Sequence, residues 1–118
     1  MVELYDLVYT AQKRAIEAVK PGVTAKELYQ KAYGYLTEKG FGKYIQHSLG
    51  HHIGLDIHEL PKIFPFTEFT FEEGMVFTIE PGLYLPDFGG VRLEDMVRVT
   101  SSGAELLTSL PKEKRIII

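Results

Sequence analysis

Leu4, Leu7, Val8, Ala11, Ala15 and Val19 recur at helical spacing, so residues 3–19 are predicted as an amphipathic helix. Pro21 and Gly22 stop it. Thr24 followed three residues later by Glu27 is the signature of a capping box, opening a second helix. Leu28, Ala32, Tyr35 and Leu36 continue the apolar stripe until Gly40 ends it. Beyond Gly42 the pattern changes. Segments 43–58, 75–85 and 91–99 are β-branched or alternating and are separated by Pro, Gly and Asp, so each is predicted as a strand. The closing "KRIII" is predicted as one more. Two helices followed by a mainly antiparallel sheet make an α+β domain, and 118 residues suffice for a single core.

The stretch "MVFTIEPGLYLPDFGGVRLEDMVRVT" reads as two strands around a loop. In a hairpin symmetric about Asp87, Glu80 faces Glu94, because the two are equidistant from it. Alternation then places Phe77, Ile79, Leu83, Leu85, Val91, Leu93, Val97 and Val99 on one face, and Thr78, Glu80, Gly82, Arg92 and Glu94 on the other. Pro81 and Asp95 interrupt the apolar set, so local bulging is expected there. Like charges directly across a strand pair destabilise a sheet. Solvent with Arg92 as neutraliser would offset the repulsion, and so would a metal cation.

The histidines tip that balance. All four lie inside "HSLGHHIGLDIHELP", residues 47–61, among glycines that permit kinks. His47 and His51, four apart, share a side of an extended strand; His52 points away from His51. His58 joins them only if a bulge turns it inward. Imidazole and carboxylate donors converging from separate strands suit Zn, Mn, Fe or Co; spacing nominates His47 and His51, and the reading of the residues is a metal site of His51, Glu80 and Glu94 flanked by two further histidines. "HELPK" lacks the second histidine of the helical HExxH zinc motif.

Composition removes other chemistries. The net charge is −3, with no basic cluster beyond "PKEKR", so nucleic acid is not an expected partner. The absence of cysteine excludes disulfides and thiolate nucleophiles. No apolar run approaches membrane-spanning length, so no membrane partner is expected. "MVELYDLVYTAQKR" lacks the layout of a secretory signal, which makes the cytoplasm the expected location. In "FPFTEFT", residues 64–70, the alternating aromatics are expected to pack on the core in preference to lining a substrate.

The motifs "HSLGHHIGLDIHE", "EEGMVFTIEPGLY" and "GVRLEDMVRVT", in this order, resemble the metallopeptidases of the pita-bread (creatinase/aminopeptidase) fold. "GLDIHE" and "GVRLED" are similar to the proline-directed branch, the prolidases and Xaa-Pro aminopeptidases, more than to methionine aminopeptidases. The resemblance implies hydrolysis of X-Pro amides in peptides or dipeptides with proline second. It makes His51, Glu80 and Glu94 metal ligands, with Glu94 bridging and Glu80 also the acid/base. It makes His47 and His58 the histidines that contact substrate, and Arg92 part of the surrounding hydrogen-bond network. The family site holds two divalent metals (Mn, Co or Zn), and two of its ligands are aspartates on a hairpin that precedes this region. Asp6, Asp56, Asp87 and Asp95 match other parts of the pattern. Residues 1–118 therefore resemble the C-terminal part of the catalytic domain, without that hairpin or an N-terminal domain. On this reading the chain holds at most one metal, has weak or no activity alone, and forms a homo-oligomer or joins a partner supplying the other half. A non-catalytic peptide-binding module on the same fold is the alternative from a different class.

Overall fold

The computed structural model describes residues 2–112. Helix α1 (Val2–Ala18) forms one residue ahead of its predicted place, and Leu4, Val8, Ala11 and Ala15 bury its apolar face. It packs on the second helical segment and on the strands at Val76–Ile79, Gly82–Leu85 and Gly89–Arg92. The capping box is present in full. Thr24 Oγ1 accepts from the Glu27 N–H at 3.1 Å, and Glu27 Oε2 accepts from the Thr24 N–H at 2.9 Å.

The second helix departs from regular geometry. It runs as α2 (Ala25–Tyr29), a π-helical turn (Gln30–Gly34) and α3 (Tyr35–Glu38). The wider turn advances the buried face. Tyr33, absent from the predicted stripe, is fully buried, whereas Tyr35 is half-exposed and lies under the Arg14 guanidinium at 5.0 Å.

Segment 43–58 is not a single strand. It holds a 3-10 turn (Gly42–Tyr44), irregular chain through His47, the short strand β1 (His51–His52) and a loop to His58. The reason is local. A Cβ on Gly50 would lie 1.8 Å from the Thr78 carbonyl oxygen, so β1 is pressed against its neighbour at a point that admits only glycine. The chain then returns as β2 (Glu59–Lys62).

The predicted hairpin is correct in register and broken in the middle. Strands β3 (Val76–Ile79) and β6 (Asp95–Val99) form one ladder; β4 (Gly82–Leu85) and β5 (Gly89–Arg92) form another. Every pair, from Val76 with Arg98 to Leu85 with Gly89, is symmetric about Asp87. Asp87 itself takes a positive φ of 63° in the tight turn, a conformation that Asp tolerates better than most residues. Pro81 has no N–H to continue the first ladder, so the strands split into two sheets at Glu80–Pro81 and Leu93–Glu94. The larger sheet is antiparallel with order β2-β1-β3-β6-β7, where β7 is Ala104–Leu106.

Phe77, Ile79, Leu83, Val97 and Val99 are fully buried, as alternation requires, and Leu85, Val91 and Leu93 pack at the margin. Asp95 is the polar exception. It is buried and bonded to Thr108 Oγ1 and Lys112 Nζ, which ties down the chain after β7. The predicted "KRIII" strand lies outside the described residues. "FPFTEFT" is divided: Phe64 and Phe69 are half-buried, and Phe66 is exposed.

Candidate metal centre

The break between the two ladders creates the site. Glu80 and Glu94 occupy opposed positions in the shared register, but neither belongs to a strand. The Glu80 N–H leaves the hairpin and donates to Leu49 O at 2.7 Å, whereas the Leu93 N–H keeps its partner in the register, Pro81 O, at 3.2 Å. Gln12 reaches in from α1, fully buried, and its Nε2 donates to Ile79 O at 3.1 Å and to Leu93 O at 3.3 Å. Those carbonyls belong to the residues immediately before the two acids. One helix side chain thereby clamps both halves of the joint.

His51 enters from β1 and is 5% exposed. Its Nδ1 lies 3.0 Å from His52 O. A carbonyl can only accept, so Nδ1 carries a proton and donates, which leaves Nε2 to face the acids. That Nε2 is 3.2 Å from Glu80 Oε2. Two electron-rich atoms at this separation need a proton or a cation between them. Glu80 Oε2 also accepts from Thr78 Oγ1 at 2.8 Å.

Glu94 completes the group: one donor atom from each of His51, Glu80 and Glu94 lies within 4.8 Å of the others. Burial raises the Glu94 carboxyl pKa above its ordinary value, and the hydrogen bond and negative charge of Glu80 raise it further; Arg92 and His51 oppose the shift. The acids repel, and a divalent cation would relieve them. Two carboxylates and one imidazole nitrogen form a donor set suited to such an ion. Among the described residues this is the one group of three or more such side chains that could hold a metal. Asp6, Asp56, Asp87 and Asp95 take no part in it.

The cluster opens into a cavity of about 770 Å³, which His58, Arg92, Leu55 and Ile57 also line. His58, left open by spacing alone, is brought in by the loop after β1, with its ring centroid 4.4 Å from that of His51. His47 is not among the residues lining this cavity. It is not on a strand, and both of its ring nitrogens are engaged. Nδ1 donates to Ser48 O at 2.7 Å, and Nε2 is hydrogen-bonded to the Tyr84 hydroxyl at 2.9 Å. Tyr33, whose phenol is pushed well up by burial, accepts from the Gly82 N–H beside this pair. His52 turns away from His51, as alternation requires, and stacks on Phe71 with centroids 5.5 Å apart and planes 4° from parallel.

A model of Metallopeptidase family M24 matches residues 1–101. The chain belongs to this family. It is 54% identical over 111 residues to the Xaa-Pro dipeptidase of Pyrococcus furiosus, covering 94% of this chain and 32% of that protein. The prolidase from Pyrococcus horikoshii OT3 superposes with a TM-score of 0.92 at 48% identity, covering 95% of this chain and 32% of that one. The X-Pro aminopeptidase from Thermotoga maritima MSB8 superposes with a TM-score of 0.90 at 43% identity, covering 94% and 32%. This M24 chain thus spans about a third of the length of these relatives. It corresponds to the C-terminal part of their pita-bread fold.

Sequence reasoning overlooked Gln12, Tyr33 and Tyr84, and it placed Thr78 on the polar face without a role. A signal existed for Gln12. It sits between Ala11 and Ala15 on the apolar face of α1, where a polar side chain needs a reason.

Proposed function

We propose that this chain carries the His–Glu–Glu part of the metal site of an X-Pro-directed metallopeptidase. The observation that supports this most is the convergence of donor atoms from His51, Glu80 and Glu94 within 4.8 Å. The names of the relatives support the proline-directed branch over the methionine branch.

A divalent cation held there would supply Lewis-acid polarisation of the scissile carbonyl and lower the pKa of its water toward neutrality. The chain's own residues do the rest. Glu80, beside the metal position, moves a proton from the attacking water toward the leaving amine, which in an X-Pro bond is the proline nitrogen. His58, at the cavity wall, donates to the carbonyl oxygen as charge develops on it. Arg92 offsets the negative charge of Glu94 from the same cavity. His47 can contact substrate only by giving up its bond with Tyr84.

Three ligands hold one cation weakly, so the remaining ligands come from polypeptide outside these residues: another part of the same protein, a second copy or a partner chain. Calorimetric titration with Mn²⁺, Co²⁺ and Zn²⁺ tests this. We expect at most one weak equivalent per chain, abolished by His51→Ala, and little X-Pro hydrolysis by the chain alone. Two tight equivalents would contradict the half-site. Absence of binding by all three ions would sink it altogether.

A further inference from the structure

Thr78 lies in β3 between two core residues, Phe77 and Ile79, and is 1% exposed. Its hydroxyl has a single hydrogen but makes two bonds. The His51 N–H, which can only donate, points at Oγ1 from 3.0 Å. The hydroxyl hydrogen is thereby left for Glu80 Oε2 at 2.8 Å. The order is fixed: His51 N–H to Thr78 O–H to the Glu80 carboxylate. The relay joins the backbone of one donor residue to the side chain of another, across adjacent strands. Gly50 holds those strands in close contact at the Thr78 carbonyl.

We infer that Thr78 is a positioning residue for the metal site. It holds the Glu80 carboxylate beside His51 Nε2 by fixing the direction of the oxygen it donates to. The inference rests on the reading of His51, Glu80 and Glu94 as metal ligands, and it adds a partner outside that set. Hydroxyls bonded to metal-binding carboxylates orient them, and removing such partners lowers metal affinity by about 10- to 100-fold. A threonine serving only the core would instead affect stability and leave affinity alone.

Thr78→Val, Thr78→Ser and Thr78→Ala in the whole chain separate these roles. Mn²⁺ affinity is measured by calorimetry below every melting temperature, and thermal stability is measured beside it. Valine keeps the branched shape and removes the hydroxyl; serine keeps the hydroxyl and removes a buried methyl. Affinity should fall by about tenfold or more in Thr78→Val and stay within about twofold of wild type in Thr78→Ser, although the latter melts lower. Thr78→Ala deletes the hydroxyl a second way and should match valine in affinity. Wild-type affinity in the folded hydroxyl-less variants, or an equal loss in Thr78→Ser, would overturn the role of Thr78 while leaving the metal site intact. Failure of the wild-type chain to bind Mn²⁺ would overturn both.

Discussion

Replacing Gln12 by Met removes the clamp under the two acids without changing side-chain length or helix propensity much. In the native chain the amide donates to Ile79 O at 3.1 Å and Leu93 O at 3.3 Å. The first bond has ordinary length; the second is long and weaker. A buried acceptor deprived of its donor costs about 1–3 kcal/mol, so the two together lose about 3 kcal/mol. One term runs the other way. Gln12 Oε1 is buried without a partner among the described residues, and its removal returns about 1 kcal/mol. The net loss is about 2 kcal/mol, a fall of about 8 °C in melting temperature for a chain of this size. Urea unfolding followed by circular dichroism or tyrosine fluorescence measures it directly, since the chain has seven Tyr and no Trp. Gln12→Glu is the companion. It keeps the shape but offers two acceptors to two carbonyls, so it should destabilise at least as much near neutral pH. A change below about 0.5 kcal/mol in both variants would refute the clamp.

Two further outcomes follow from the same geometry. Gly50→Ala places a methyl 1.8 Å from a backbone oxygen that cannot move alone; it should cost about 3 kcal/mol or more and collapse soluble yield. A cooperatively folding Gly50→Ala chain of native stability would show that β1 does not approach β3 as described. Glu94→Gln should melt higher than wild type near neutral pH in the metal-free state. The folded-state pKa of Glu94 is raised by burial and then by Glu80, so its contribution is complete below the ordinary carboxylate pKa and is lost as pH rises through the raised value. Gln removes that loss and also weakens Mn²⁺ binding; a lower melting temperature at neutral pH would contradict the repulsion.

The two helices, their caps and the hairpin register were legible because each rests on nearby residues. The apolar spacing of α1, the Thr24–Glu27 box and the symmetry about Asp87 need no tertiary contact to be read. Register in turn placed Glu80 opposite Glu94, and the crowding of histidines pointed to His51. Three other features depended on contacts between distant segments. The irregular course of 43–58 follows from Gly50 meeting Thr78, 28 positions later. The inward face of Tyr33 follows from a π turn that sequence spacing does not announce. His58 reaches His51 through a loop whose path no alternation rule sets, while His47 is held away by Tyr84. Periodicity therefore determined which residues form the elements and which acids oppose each other. Only the folded chain decided how the other histidines divide, with His58 beside His51 and His47 against Tyr84, because that depends on how closely two backbones approach and where buried hydrogen bonds close.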